Sequence, residues 1–327
     1  MLNRNGDPMS TSASDFDKFL AHLNGEPRLL VEAPLAPIQG SRFQPTGFPD
    51  LGAASYRTHD GREMLLVESA QSVANRLEAV CWDEAAADVP TELRGIPYVS
   101  VRRGTAMLTN SILEAHRLNS PYILEGKDPF IDRLKQELGA SETGRIDHAR
   151  LATVLFRYDV NTLLHGVFLA KKDIAGGRMR LPRALGGFIE AVDVTVAASG
   201  GVKRDDVNPS GEAKSGFGHV PFHREEYTGS LRAFFNLDLG QVRGYRLGAP
   251  AERLLVGLAL YKILRFLDVG LRLRTACDLK AGTPVVSAPA GVALPSLATV
   301  RGALPDLIQA ASSGFANPRV TVVEFKE

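Results

Sequence analysis

Residues 28–54 read RLLVEAPLAPIQGSRFQPTGFPDLGAA. The first part, Arg28 to Ala36, is an apolar run bounded by Pro27 and Pro37 and predicts a strand. The rest, from Gln39 to Gly52, holds three glycines, two prolines, two phenylalanines and one arginine, a composition unlike that of a spacer. A short strand is expected near Leu65 to Val67. After it, SAQSVANRLEAV (69–80) reads as an amphipathic helix with Ala70, Val73, Ala74, Leu77 and Val80 as its buried stripe. Ser72, Asn75 and Arg76 share its other face.

Working outward, a short helix is expected over Asp15 to Leu23, after a poorly ordered start. Strands are expected at Tyr98–Val101, Val167–Lys172, Ala191–Ala198, Ser230–Leu239 and Val320–Phe325. Helical patterns run over Ala106–Leu118, Pro129–Leu138, Asp147–His165 and, most clearly, Ala251–Leu267. Ser199 to Thr228 shows little regular pattern and reads as a long insertion, which in a compact domain is usually functional or disordered. Strands separated by helices of unequal length favour an α+β layer over a doubly wound parallel sheet.

The 327 residues are 44% hydrophobic and 23% charged, which excludes an intrinsically disordered chain and allows a core without disulfides or metal clips. The two cysteines, Cys81 and Cys277, stand far apart in no ligand-like spacing and fit a reducing cytoplasm. Met1 to Asp17 is polar and lacks a secretory signal. The most apolar stretch, Leu254 to Leu267, is interrupted by Lys262 and Arg265, so no membrane partner is expected. The formal net charge is only +1, but residues 161–280 hold 18 Lys/Arg against 12 Asp/Glu. Two parts of opposite charge are a basis for self-association.

The signatures of several enzyme classes are missing. There is no phosphate loop, no dinucleotide-binding glycine pattern and no nucleophile elbow, and no cofactor is expected. His219 and His223 flank Pro221 without the spacing of a zinc helix, and Cys81–Trp82 reads as core. Asp205 and Asp206, beside Lys203 and Arg204, are candidates for a metal ion in phosphodiester cleavage; the plainer reading is a solvated, self-neutralising loop. What remains is a set of guanidinium, amide and hydroxyl groups in glycine-rich loops. Gln39, Gly40, Ser41, Arg42, Phe43 and Gln44 lie in the first loop, and Ser72, Asn75 and Arg76 on the helix after it. Lys203, Arg204, Lys214, His223 and Arg224 decorate the long insertion, and Arg272 and Arg274 alternate with leucines on a strand. Glycines let backbone approach phosphate, the polar groups donate to phosphate and sugar oxygens, and Phe43 and Phe48 are candidates to stack on bases. Each alone has a plainer reading, Arg42 as a surface charge, Arg76 as a paired helix residue and the phenylalanines as loop anchors; together they raise single-stranded RNA binding above background.

The stretches 28–54 and 67–78, with VDVTVAASGGVKRDDVNP, SLRAFFNLDL and LRLRTACDL further on, resemble the backbone subunit of type I-G (formerly I-U) CRISPR effector complexes, within the RAMP superfamily. The resemblance implies an RRM-like (ferredoxin-like) βαββαβ core with large insertions and a hand-like shape. On that reading residues 1–27 are a variable, partly disordered lead. Residues 28–327 are one domain, with a helical insertion at about 105–165 and a thumb-like one at about 199–228. It further implies a non-catalytic, cytoplasmic subunit that binds crRNA and stacks head to tail with copies of itself. Target DNA and other effector subunits would be further partners. Because the usual aromatic signature of RRM sheets is absent from the sequence, recognition through loops is expected. The competing enzymatic reading is a metal-dependent endoribonuclease of the same superfamily.

Overall fold

A computed structural model describes residues 11–48, 52–127, 130–139, 144–269 and 271–326. In chain order the principal elements are α1 (Thr11–His22), β1 (Arg28–Pro37), β2 (Ser55–Arg57), β3 (Glu63–Glu68), α2 (Ala70–Ala79), β4 (Tyr98–Arg103) and β5 (Ala106–Asn110). A helical segment follows, with α3 (Phe130–Leu138), α4 (His148–Tyr158) and α5 (Val160–His165), then the ribbon β6 (Val167–Leu169) and β7 (Met179–Leu181). The rest comprises β8 (Leu185–Lys203), β9 (Val220–Asp238), α6 (Ala249–Asp268), β10 (Leu271–Arg274), β11 (Cys277–Ala281), β12 (Val285–Ala288), α7 (Leu297–Ala311) and β13 (Val320–Glu324).

The main sheet has the order β10-β11-β1-β9-β8-β3-β2, with β12 also paired to β1, and every neighbouring pair is antiparallel. Strand β1 sits at its centre because alternate residues Leu29, Val31, Ala33 and Leu35 are buried. Helices α2 and α6 cover one face. Ser69 caps α2 by accepting a hydrogen bond from the Ser72 N–H at 3.2 Å, and Val73, Ala74 and Leu77 are buried beneath it. Helix α6 is apolar around most of its circumference, as a helix packed on two sides must be. It faces the sheet on one side and α7 on the other. Gly257 permits that second contact, since a Cβ there would lie 2.8 Å from Leu307 Cδ1. A smaller sheet, β13-β4-β5, joins the carboxyl-terminal strand in parallel to β4.

Strands β8 and β9 form one hairpin of two 19-residue strands, paired from Leu185–Leu237 out to Lys203–Val220. Its inner half lies in the sheet between β1 and β3. The register shifts between Val192 and Thr195, where Asp193 takes a positive φ of 57° and Arg62 binds its carboxylate at 2.9 Å. Beyond that bulge the two strands pair with each other, and most of their residues are exposed.

Several expectations change. Ser199–Thr228 is not an irregular insertion: residues 199–203 and 220–228 are strand, and the irregular tip is 204–219. The Ala106–Leu118 stretch is a strand followed by turns, so the helical part of that insertion starts later. Helix α1, of which the part from Asp15 is expected from the sequence, buries Phe16 and Phe19; residues 1–10 lie outside the described ones. Helix α7 has no counterpart among the expected elements. The sheet face away from α2 does carry aromatics: Gly187 faces Val73, and the next residue, Phe188, stacks on Phe234 with centroids 5.0 Å apart.

Leu258 is fully buried at the middle of α6. Leu258→Ala is expected to cost about 3 kcal/mol of stability, read as a lowered urea midpoint, because the cavity left there cannot collapse. Val207→Ala, at the exposed tip, should stay within about 0.5 kcal/mol of the parent.

Candidate nucleic-acid interface

The loop after β1 is stapled to the body at successive points. The Ile38 N–H donates to Asp278 O, Phe43 exchanges both backbone hydrogen bonds with Tyr227 at 2.9 Å, and the Gln44 N–H donates to Ala276 O at 2.7 Å. Between these staples Gln39, Gly40, Ser41 and Arg42 bulge into solvent, and Gly40 supplies the positive φ of 65° that the turn requires. Arg42 has no ion-pair partner among the described residues. Phe43 points the other way and is 0% exposed, so the stacking role expected of it is corrected: the residue is core. The Phe48 side chain lies outside the described residues.

Behind the loop sits a buried carboxylate, Glu68, at the end of β3. It accepts hydrogen bonds from Ser72 Oγ and Arg274 Nη2, and from Arg76 Nη2 at 3.3 Å. Arg274 also donates to Gln44 O at 2.6 Å and Val67 O at 3.2 Å, while Arg76 donates to Leu273 O at 2.8 Å. Four expected site residues, Gln44, Ser72, Arg76 and Arg274, are therefore gathered around one acid. Two guanidiniums against one carboxylate leave a net positive charge, and both arginines keep partial solvent access. Asn75 is exposed on α2 and accepts from Gln71 Nε2.

The remaining expected residues follow the hairpin. Arg224 reaches back from β9 toward Gln44 Oε1 at 3.4 Å and lies over the Phe222 ring, which links the ribbon's root to the loop. Lys203, Arg204, Lys214 and His223 are exposed further out, and Arg204 meets Asp206 at 3.1 Å. Arg272 is exposed on β10, 3.9 Å from Asp278 and apart from the Glu68 group. Asp205 has a structural task. Its carboxylate accepts the backbone N–H groups of Val207, Asn208 and Gly218, and His219 Nδ1 accepts the Asp205 N–H at 3.0 Å. The tip is thereby tied together. Among the described residues no group of three or more His, Cys, Asp or Glu converges as metal ligands. Cys81 and Cys277 are buried, and burial raises both thiol pKa values, Cys277 to about 11. Sequence reading missed Glu68, because Arg274 stands 206 residues away in the chain; its local signals are Ser72 and Arg76, four and eight residues on.

The family model described as CRISPR-associated protein GSU0053 matches residues 29–196, and the chain belongs to that family. Two solved chains are distantly similar. One, from a "CRISPR RNA-guided surveillance complex, pre-nicking", is 15% identical with a TM-score of 0.40, covering 77% of this chain and 76% of that one. The other, from a "CRISPR RNA-guided surveillance complex", is 14% identical with a TM-score of 0.38, covering 79% and 68%. No curated protein matches significantly. No helix among the described residues is long and apolar enough to cross a membrane.

Removing the buried acid should be costly. Glu68→Ala leaves Arg76 and Arg274 without their shared partner and is expected to cost about 3 kcal/mol in denaturant unfolding, the lower end for a broken buried pair because both arginines retain solvent access. At the tip, the three backbone donors hold the Asp205 carboxyl below the usual carboxylate range. A depressed folded value means that its contribution is present above the ordinary aspartate pKa and is lost as pH falls through the folded one. Amide exchange at Val207, Asn208 and Gly218 should therefore accelerate only on strong acidification, beyond the intrinsic pH trend of unstructured amides.

Proposed function

We propose that the chain is a non-catalytic, crRNA-binding backbone subunit of a type I-G CRISPR effector. Copies would stack head to tail along the guide and present it for pairing with target DNA. The observation that carries this reading is the arrangement at the ribbon's root. An exposed Gln39–Arg42 loop and an anchored arginine pair lie beside Arg224, and a two-stranded arm bearing Lys203, Arg204, Lys214 and His223 extends from there. An arm of this kind suits a thumb that folds over a strand and separates it into short segments. Its ligands would be phosphates and 2′-hydroxyls, which every guide sequence shares.

The strand order lends support to an RRM-like core. Taking β1, β8, β9 and β11 as first to fourth, their order in the sheet is fourth, first, third, second, with α2 between the first two and α6 between the last two. This order supports a βαββαβ core, with the helical segment read as an insertion before β8. The modest net charge fits a subunit that must meet protein neighbours on two sides while keeping one groove positive.

The test is co-expression with a CRISPR array and companion subunits, followed by gel analysis of the bound RNA. A guide-length RNA in a high-mass particle is the expected result. Arg42→Ala and Lys203→Ala should weaken RNA binding equally for unrelated guides. Each should also reduce the log–log salt slope by about 0.7 for every phosphate the variant no longer neutralises. Sequence-selective loss, or assembly that survives ribonuclease and high salt unchanged, would overturn the reading.

A further inference from the structure

Away from the loop and the arm, the β6–β7 ribbon, the turn around His116–Asn119 and the end of α5 enclose an open cavity of about 820 Å³. Its volume falls within the range of small-molecule and cofactor clefts, about 300–1,000 Å³. Four features of its lining are unusual together. His165, at the end of α5, is 2% exposed, and neither ring nitrogen has a protein partner. Burial and the nearby Lys262, Arg117 and Arg183 hold its pKa well below the usual value, so the imidazole is neutral and offers one donor and one acceptor. Arg183 donates through its terminal nitrogens to Ala70 O and Gln71 Oε1, yet its buried Nε–H has no partner. Across the ribbon Phe168 pairs with Arg180, which places an aromatic ring that is 54% exposed beside a solvent-facing guanidinium.

Among the described residues no carboxylate lines the cavity. Arg117, which does, is already neutralised by a bidentate pair with Glu78 at 2.6 and 2.7 Å. The free charge is thus positive, from Arg180 and Arg183, and calls for an anion. An acidic side chain would satisfy the arginines but would leave the open phenyl ring unused. A nucleotide uses both groups: its phosphate meets the guanidiniums and its base has a face to lay on Phe168. A duplex keeps its base faces stacked inside and could not offer one.

We propose that this cavity seats one unstacked nucleotide of a single strand, with the base on Phe168 and the phosphate at Arg180 and Arg183. The site is separate from the Gln39–Arg42 loop, but the hydrogen-bonded chain Arg183–Gln71–Asn75 leads from its rim to the exposed face of α2. The inference rests on the reading of the chain as a guide-binding subunit. The strand is either the guide RNA or the target DNA, which share this chemistry.

Photocrosslinking of the full chain tests it and names the strand. In one arm the protein binds a thiouridine-substituted RNA. In the other, guide-loaded protein binds a complementary thiothymidine-substituted DNA, and the crosslinked peptides are read by mass spectrometry. A crosslink on the peptide carrying Phe168 is expected in one arm. Phe168→Ala should reduce it and weaken binding of that strand about tenfold, Phe168→Trp should restore both, and Arg180→Ala should weaken binding and flatten its salt dependence. Both substituted side chains are exposed, so the fold is expected to survive. Strands that bind and crosslink at Arg42 but never at the ribbon would overturn this inference alone. Failure to bind any strand in either arm would overturn it together with the proposed function. Unchanged strand binding with lost self-association in Arg180→Ala would assign the cavity to an acidic protein surface instead.

Discussion

The arrangement of the candidate interface depends on a carboxylate that solvent does not reach. Glu68 ends one strand of the main sheet, and around it converge the first turn of α2, the end of β10 and the loop that follows β1. Burying an acid is unfavourable unless its charge and lone pairs are met. Meeting them fixes Arg76 and Arg274 in place, and Arg274 in turn holds the backbone of Gln44. The exposed bulge from Gln39 to Arg42 can thus be short and glycine-containing without being loose, because both its ends are pinned.

This construction also changes what the arginines are for. Arg76 and Arg274 are first of all structural, and any interaction they make with a ligand uses the donors and partial exposure that remain. Arg42 and Lys203 have no such prior engagement among the described residues. A preorganised positive background with a few freely adaptable groups at its edge suits recognition of a repeating backbone, where register must be held but no sequence read.

The parts of the fold legible in the sequence are those whose pattern is local. The 28–36 strand and the 69–80 and 251–267 helices each carry their own hydrophobic period, and the structure has them within a few residues of the expected bounds; the 230–239 strand is also present, but it begins far earlier, at Val220. Residues 199–228 are opaque in sequence because, apart from Tyr227 at its root, the outer ribbon is little buried: with almost no core to line, its strands need no alternation and chiefly pair with each other. Helix α7 is hidden by Gly302 and Pro305, which weaken a helical reading even though burial of Leu304 and Leu307 outweighs them. At the site, exposure of Arg42 in a glycine-containing turn can be anticipated. The inward turn of Phe43 cannot, since it follows from a bridge to Tyr227 on a distant strand. The arginine partners of Glu68 raise the same difficulty, because one lies 206 residues away.

The outer ribbon also has a bearing on solubility. From Thr195 to Lys203 and from Val220 to Thr228 each strand pairs with the other, and apart from the single bridge at Tyr227 their outer edges meet no further strand among the described residues. Free edges of this kind invite pairing with a second chain, all the more with Val196, Val202 and Phe222 exposed along them. Lys203, His223, Arg224, Glu225 and Glu226 interrupt that apolar surface with charged and polar side chains. These charged and polar side chains therefore oppose edge-to-edge pairing between copies of the chain, so the arm can stand out from the sheet without joining a neighbour's.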